Sequence, residues 1–282
     1  MDERLRRSLL YVPASSEAML RKAGTRDADV VIVDLEDGVL PEAKDAARDA
    51  LARQWSELDF GPSQPLLRVN RLGAPWHAGD MDAAVRLRPA AVVLPKCEDP
   101  AVVEFATRAL DGLPVCLMVE TARGVQAAGE LARVPGVAAL LFGGADFRAS
   151  VRGRRAPDEA EILLARSALV IAARAAGVEV FDTPFFDYRD AAGLEASAGR
   201  ARDLGFDGKT AIHPGQVPAL NRVFAPAEDE VLRARRIVAA LDEAAAGGRG
   251  VATVDGEMVE ALHAREARRT LARHAAAEAR RR

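Results

Sequence analysis

The chain has 282 residues, 49% of them hydrophobic and 29% charged, which excludes a disordered chain and a small disulfide-stapled scaffold. Its net charge of −3 gives no general attraction to nucleic acid or anionic lipid, and no segment approaches the ~20 apolar residues of a membrane span. With only Cys97 and Cys116 available for thiol chemistry, we expect a cytoplasmic globular protein that binds neither nucleic acid nor membranes.

Short apolar segments rich in Val, Leu and Ile recur along the chain. Each has 4 to 6 residues without polar alternation, which is typical of parallel strands covered on both faces. The eight predicted strands are Ser8–Val12, Val30–Leu35, Leu66–Val69, Ala91–Leu94, Val115–Val119, Val137–Phe142, Val178–Phe181 and Gly208–Ile212.

Helical patterns separate these strands. They are Glu42–Trp55, Pro100–Leu110, Glu161–Ala176 and Ala191–Leu204. The alternation predicts an α/β fold, a (β/α)8 TIM barrel, over residues 1–225. A doubly wound sheet is the alternative, but the Gly-rich phosphate turn that usually opens one is missing. Residues 226–282 are predicted to form a C-terminal helical extension that packs on the barrel or on a neighbouring subunit, with helices at Glu228–Ala246 and Met258–Arg282.

Charged residues close almost every predicted strand. In a TIM barrel the chemistry lies where strands end and loops begin, so this repetition predicts a site at one rim. The residues are Asp34, Glu36, Asp37, Arg68, Lys96, Glu120, Asp146, Asp182 and Lys209. His213, near the last strand, is either a general base or a structural residue.

Glu120 and Asp146 follow consecutive strands, so their carboxylates are expected to lie close together. Two such groups repel unless a cation lies between them, and Mg²⁺ is the hard cation that one or two carboxylates hold together with water and substrate oxygens. We therefore predict a magnesium site here. The alternative is that both acids form ion pairs with rim arginines.

Arg68 lies within an apolar strand, where a guanidinium needs an anionic partner. We favour a substrate carboxylate as that partner, and pairing with Glu36 or Asp37 is the alternative. Asp34 and Glu36 alternate onto one side of their strand, where either orients Arg68 or binds metal-bound water. Lys96 is expected beside them.

Lysine is rare: only four of the 39 basic residues are lysine, and the others are arginine. These four positions are predicted to need a compact ammonium group that a planar guanidinium cannot replace, with chance retention as the alternative. They are Lys22, Lys44, Lys96 and Lys209.

Seven motifs in order resemble the citrate lyase beta-subunit-like family, which also includes malyl-CoA, citramalyl-CoA and β-methylmalyl-CoA lyases. The resemblance extends from Arg7 to about Ala261. The motifs are Arg7-Ser8-Leu9-Leu10-Tyr11-Val12-Pro13, Asp34-Leu35-Glu36-Asp37-Gly38-Val39 with Lys44-x-x-Ala47-Arg48, Arg68-Val69-Asn70, Leu94-Pro95-Lys96, Val119-Glu120-Thr121-Ala122-x-Gly124, Phe142-Gly143-Gly144-Ala145-Asp146 and Gly208-Lys209-x-x-Ile212-His213-Pro214-x-Gln216.

The resemblance implies a TIM barrel with a helical extension, assembled as a homotrimer or hexamer. It further implies that Glu120 and Asp146 ligate Mg²⁺ and that Arg68 binds a carboxylate of a 2-oxo acid. Backbone N–H groups would assist Arg68, and three residues would line the CoA channel. The N–H groups belong to Gly144, Ala145 and Asp146, and the channel residues are Tyr11, Val12 and Lys22.

In trimeric relatives an aspartate of the extension reaches a neighbour's site as a catalytic group. The matching segment here ends in Glu260, whose extra methylene shifts a proton-transfer group. The implied activity is Mg-dependent carbon–carbon cleavage or formation of a malyl-, citramalyl- or citryl-CoA thioester, giving acetyl-CoA or propionyl-CoA and a 2-oxo acid. The alternatives are a beta subunit of a citrate lyase complex that acts on an acyl-carrier thioester, a weakly catalytic acyl-CoA-binding homologue, and an aldolase on free 2-oxo diacids.

Overall fold

A computed structural model of the protein describes residues 5–281, with no description of the Arg281 side chain. Eight parallel strands form a closed barrel in chain order, and Ser8 of the first strand pairs with Lys209 of the last. The strands are β1 Ser8–Pro13, β2 Val30–Asp34, β3 Gln64–Arg68, β4 Ala91–Leu94, β5 Val115–Val119, β6 Val137–Phe142, β7 Glu179–Asp182 and β8 Gly208–Ala211.

Helices follow the strands. They are α1 Glu17–Leu20, α2 Lys44–Gln54, α3 His77–Leu87, α4 Pro100–Ala109, α5 Ala122–Leu131, α6 Gly144–Val151, α7 Leu163–Ala176, α8 Ala191–Leu204 and α9 Val217–Val223. Short 3₁₀ turns lie at Ala23–Thr25, Pro41–Ala43, Trp55–Glu57, Ala160–Ile162 and Pro214–Gln216. The predicted (β/α)8 TIM barrel is confirmed.

Side-chain alternation divides the barrel residues into two layers. One layer fills the barrel and includes Ile32, Leu66, Met118, Leu141 and Phe181, all buried. The other lies between the strands and the surrounding helices and forms the larger apolar cluster. Because both faces of every strand are covered, the strand sequences are nearly continuous in apolar residues.

The described residues fall into two compact units, and Arg6–Phe224 is the barrel unit. Within the second unit, α10 Glu228–Ala246 and α11 Ala261–Arg281 pack on a hairpin of β9 Ala252–Val254 and β10 Glu257–Val259.

The predicted helix over Met258–Arg282 is wrong at its start, because α11 begins only at Ala261. Between β9 and β10, Asp255 and Gly256 have φ of 52° and 82°. Two positive φ values suit a two-residue hairpin turn, and an Asp-Gly pair favours one. None of the helices described in residues 5–281 is both long and apolar enough to cross a membrane.

Candidate active site

The ends of β2 and β3 bring a carboxylate and a guanidinium together inside the barrel rim. Asp34 and Arg68 end their strands and are paired in register. Ile32 and Leu66, two residues earlier in each strand, fill the barrel, so alternation directs Asp34 and Arg68 inward as well. Arg68 is only 7% exposed, and its charge therefore needs partners within the protein or in a ligand.

Arg68 has two carboxylate partners. Its Nε and Nη2 donate to the two oxygens of Asp34 at 2.7 and 2.6 Å, and Nη1 lies 3.0 Å from Oε2 of Glu36. The guanidinium carbon lies 4.8 Å from the centre of the Tyr11 ring. Arg68 thus pairs with Glu36, as the alternative interpretation predicted, and also with Asp34, while Asp37 is exposed. Asp34 occupies the Nε/Nη2 edge, and Glu36 and the Met118 sulfur lie 3.0 and 3.7 Å from Nη1, so a ligand carboxylate at Nη1 would take the place of Glu36.

The turn after β2 wraps around Asp34. The backbone N–H groups of Glu36 and Gly38 each donate to one Asp34 oxygen at 2.8 Å. A Cβ at Gly38 would lie 2.5 Å from the Asp34 carboxylate, so the turn requires glycine. With four hydrogen bonds Asp34 is fixed, and it fixes the plane of Arg68 in turn.

Lys44 holds the same turn from outside the barrel. Its buried ammonium donates to the carbonyl oxygens of Leu35 and Glu36 and to Oδ1 of Asn70, at 3.0, 2.6 and 2.7 Å. Three acceptors in three directions suit an ammonium and not a planar fork, as predicted for the retained lysines. Lys22, by contrast, is exposed.

Glu120 follows β5 and is 2% exposed. Its Oε1 accepts a hydrogen bond of 2.7 Å from the N–H of Lys96, whose φ of +55° is uncommon for a residue other than glycine. A Cβ at Gly143 would lie 2.3 Å from the Glu120 Cβ, so the turn that leads to Asp146 approaches Glu120 as closely as glycine permits. Asp146 lies half-buried in the first turn of α6.

The carboxylates at this rim repel one another. Burial raises the pKa of Glu120 to about 8, the neighbouring charges of Glu36 and Asp146 contribute to the rise, and the Lys96 N–H opposes it. Burial likewise raises the pKa of Glu36 to about 7, although Arg68 opposes the rise. The Glu36 Oε2 is buried and accepts no hydrogen bond from any described residue.

This donor set fits a divalent cation with a partly open coordination sphere. Within residues 5–281, no three His, Cys, Asp or Glu side chains converge to hold an ion by themselves. Glu120 and Asp146 offer two carboxylates. Mg²⁺ is typically bound by one or two protein carboxylates, and water or substrate oxygens complete its coordination. Placing positive charge there would also relieve the repulsion that raises the Glu120 pKa.

The three residues expected to line a CoA channel occupy different environments. Tyr11 lies inside the barrel beneath Arg68, and its hydroxyl contacts the Met118 sulfur at 3.7 Å. The Val12 side chain is buried in the layer between strands and helices, so it offers only its backbone to the rim. Lys22 is exposed after α1.

Two charged residues predicted at strand ends point away from the rim. Because Phe181 faces the barrel interior, its neighbour Asp182 faces the helices, where it pairs with Lys209 and accepts two bonds of 2.9 Å from Arg166. Alternation of side chains counted from Phe181 predicts this orientation of Asp182.

His213 caps the 3₁₀ turn Pro214–Gln216 by accepting the Gly215 N–H at 3.1 Å, which is a structural role.

Thr183 is a site residue that the sequence analysis missed. Its hydroxyl accepts the Gly144 N–H at 2.9 Å, at the first residue of the helix that carries Asp146. The Gly144 N–H, which was predicted to bind a ligand, therefore already has an acceptor, and the N–H groups of Ala145 and Asp146 are the neighbouring donors.

Glu260 is exposed in the C-terminal unit, between β10 and α11, where its N–H donates to His263.

Comparison with known proteins identifies the family. Residues 7–214 match HpcH/HpaI aldolase/citrate lyase. The chain belongs to this family. The family predicted from the seven motifs is thereby confirmed, and its members include carbon–carbon lyases.

Individual members of the family are similar along nearly their whole length. The chain is 38% identical to a (3S)-malyl-CoA thioesterase of Cereibacter sphaeroides strain KD131, covering 95% of this chain and 94% of that one. It is 35% identical to a citrate lyase subunit beta of Leuconostoc mesenteroides subsp. cremoris, covering 92% and 90%. The crystal structure of protein CitE from Mycobacterium tuberculosis in complex with magnesium, acetoacetate and coenzyme A has a TM-score of 0.82 and 32% identity, covering 95% and 97%.

Proposed function

We propose that the protein is a Mg²⁺-dependent carbon–carbon lyase of the cytoplasm that acts on a 3-hydroxy-diacyl-CoA thioester of the malyl, citramalyl or citryl type. The products would be acetyl-CoA or propionyl-CoA and a 2-oxo acid. The observation that carries the proposal is the buried Glu120 carboxylate beside Asp146 and Glu36, at the rim where Arg68 Nη1 faces Glu36. The solved relative that holds magnesium and coenzyme A supports it.

In this proposal Glu120 and Asp146 would hold Mg²⁺, and the bound ion would supply positive charge that stabilises the substrate's hydroxyl oxygen as its proton is lost. Arg68 binds the carboxylate of the departing 2-oxo acid through Nη1. The N–H groups of Ala145 and Asp146, in the first turn of α6, add hydrogen bonds to the same carboxylate. Asp34 keeps the Arg68 plane fixed, so the carboxylate meets a donor that is already oriented.

The thioester arm would enter at the β1–α1 side of the rim, where Tyr11, the Val12 backbone and the exposed Lys22 lie. Cleavage moves one proton from the substrate hydroxyl to the α-carbon of the acetyl-CoA enolate that leaves. We assign this proton transfer to Glu260 of a neighbouring copy in a homotrimer or hexamer. Because Glu260 is one methylene longer than aspartate, Glu260→Asp is expected to raise the rate, and an unchanged rate would remove side-chain length as a factor.

A mixing experiment tests the shared site. Glu120→Ala and Glu260→Gln subunits should each be inactive alone and should recover part of the activity when co-assembled. In a mixed oligomer, some sites combine the intact Glu120 of a Glu260→Gln subunit with the intact Glu260 of a Glu120→Ala subunit. Mixed oligomers that remain inactive would contradict a site formed by two subunits.

The principal test is turnover of a thioester panel. Purified protein is given malyl-, citramalyl- and citryl-CoA with Mg²⁺ or with chelator, and acetyl-CoA, free CoA and the 2-oxo acid are measured separately. We expect Mg²⁺-dependent release of acetyl-CoA that Glu120→Ala abolishes and that Glu130→Ala, an exposed change on α5, leaves intact. Release of free CoA without a 2-oxo acid would instead indicate the thioesterase activity for which one relative is named.

A further inference from the structure

A groove lies beside the candidate active site at the carboxyl ends of β3, β4 and β5. It encloses about 480 Å³. Its walls come from the three loops that follow these strands and from the start of α4 and α5. The lining residues are Arg71, Leu72, Lys96, Glu98, Asp99, Val102, Thr121 and Arg123.

The groove lies next to the proposed metal site, and Lys96 and Thr121 connect the two. The Lys96 N–H donates to Glu120, and Thr121 is the residue after Glu120. The Lys96 ammonium lies 3.6 Å from Glu36 Oε1 and remains about one-third exposed. A ligand held at Glu120 would therefore reach the groove by passing Lys96.

The groove contains cationic side chains that are unpaired or only weakly paired. Arg71 is exposed and forms no ion pair with any residue from 5 to 281, and Arg123 reaches only Asp99, at 3.8 Å. Both acids of the groove have polar partners already. Glu98 accepts the Thr121 hydroxyl at 2.6 Å, and Asp99 caps α4 by accepting the Ala101 N–H at 2.9 Å. Arg71 thus has no carboxylate partner among residues 5–281, and Lys96 and Arg123 have only long contacts, of 3.6 and 3.8 Å, with Glu36 and Asp99.

The walls between these charges are apolar. Leu72 and Val102 are 45% and 38% exposed. An apolar surface next to cationic groups suits a ligand in which a short carbon segment carries a carboxylate.

The thioester arm is not the occupant we infer, because its proposed entry lies across the barrel mouth. In the closed strand order β1 and β5 are opposite one another, and Tyr11 and Lys22 belong to the β1 side. A substrate anchored at Glu120 and Asp146 would therefore direct its CoA arm toward β1 and the substituent of its 2-oxo acid portion toward the groove.

We infer that the groove binds a second carboxylate on the 2-oxo acid portion of the substrate, with Lys96, Arg71 and Arg123 as its cationic partners. This inference rests on the proposed function and names its substrate class. Of the three candidate thioesters, it selects the one whose hydroxyl carbon carries a carboxymethyl group over those that carry methyl or hydrogen.

Direct binding tests the inference without turnover. Oxaloacetate and pyruvate differ by the second carboxylate, and each is titrated calorimetrically into the protein with Mg²⁺. We expect oxaloacetate to bind about tenfold more tightly, since partly exposed ion pairs contribute modestly and are screened by salt. Arg71→Gln and Arg123→Gln should each reduce this preference. Arg108→Gln, an exposed change on α4 whose side chain pairs with Glu104, should preserve it.

Equal affinity of the native protein for both oxo acids would overturn the inference, and so would an undiminished preference for oxaloacetate in both groove variants. A weakening of CoA binding by Arg71→Gln, with oxaloacetate unaffected, would assign the groove to the CoA phosphates and would also overturn it. Turnover separates this inference from the proposed function. Cleavage of citramalyl-CoA together with equal affinities for the two oxo acids would support the lyase activity and contradict the carboxylate-binding role of the groove. A preference for oxaloacetate without cleavage of any thioester would support the role of the groove and contradict the lyase activity.

Discussion

Asp34 and Arg68, the last residues of neighbouring strands, are joined by two parallel hydrogen bonds of 2.7 and 2.6 Å inside the barrel rim. The pair leaves Arg68 Nη1 facing Glu36 and fixes the direction in which that nitrogen can bind a ligand. Asp34 accepts two backbone N–H groups as well, so the orientation of Arg68 is set by the fold of one turn.

Asp34→Asn should lower the rate of turnover strongly while the protein stays folded. The amide places an NH₂ group against a guanidinium and a backbone N–H, so Arg68 loses its fixed plane. A misplaced binding group can cost about 10²-fold in rate, and we expect a loss of kcat/KM on that order. Steady-state kinetics and thermal unfolding measure the two effects. Asp45→Asn, which alters an exposed partner of Arg48, is the control, and an Asp34→Asn rate within twofold of the native rate would contradict the role.

Thr183→Val should weaken metal binding while the barrel stays folded. Valine keeps the shape of threonine but cannot accept the Gly144 N–H, so the turn that carries Asp146 loses its anchor. We expect the Mn²⁺ dissociation constant, measured by electron paramagnetic resonance, to rise about tenfold. Thr183→Ser should restore the native value, and Thr25→Val, an exposed change at another threonine, should not shift it. A native dissociation constant in Thr183→Val would remove Thr183 from the site.

Acid stability should depend on Glu159. Burial alone would raise its pKa, but Arg166, together with Lys209 and Arg200, lowers the pKa to about 2. A carboxyl whose pKa is lower in the folded chain stabilises it fully above the unfolded pKa of about 4.5, and this stabilisation is lost as the pH falls towards 2. The loss is expected to be at most about 3 kcal/mol, because solvent screening weakens the charge interactions of Glu159.

Urea unfolding at several pH values measures this effect. Glu159→Gln should be less stable than the native chain at pH 7, and the difference should narrow between pH 4.5 and 2 as native Glu159 becomes protonated. Glu195→Gln, which alters an exposed partner of Arg222, should follow the native profile. A constant difference between native protein and Glu159→Gln across this range would contradict the assignment.

Lys44→Arg should destabilise the barrel although it preserves charge. The ammonium of Lys44 meets three acceptors in a buried space, and a planar guanidinium cannot direct its donors to all three. We expect a loss of about 2 kcal/mol or more in the free energy of unfolding. The same change at exposed Lys22 should cost less than about 0.5 kcal/mol. Equal effects at both positions would support chance retention of these lysines.

The barrel could be predicted because its strands are covered on both faces, which makes their sequences continuously apolar and separates them cleanly from the helices. The hairpin of the C-terminal unit was missed although Asp255-Gly256 carries its turn signal, because its three-residue strands are too short to show a period. The helical pattern that follows the hairpin extended the second predicted helix back to Met258, over the strand β10.

At the site, the types of residue could be predicted, and so could Asp34 or Glu36 as a partner of Arg68, but the geometry of these contacts could not. The pairing of Arg68 with Asp34 depends on the register between β2 and β3, which no local pattern in either strand fixes. The Thr183 contact with Gly144 spans 39 residues and depends on barrel closure. Asp182 and Lys209 carry the charges expected of rim residues, and only alternation from Phe181 places them on the helix side.

Metal binding is the most direct test of a cation held between Glu120 and Asp146. Titration of Mn²⁺ into the purified protein, followed by electron paramagnetic resonance and competed with Mg²⁺, should give one site per chain. Glu120→Gln and Asp146→Asn should each abolish that site, and Glu130→Gln should leave it unchanged. Absence of the site from the native protein, or its survival in both carboxylate variants, would contradict the account.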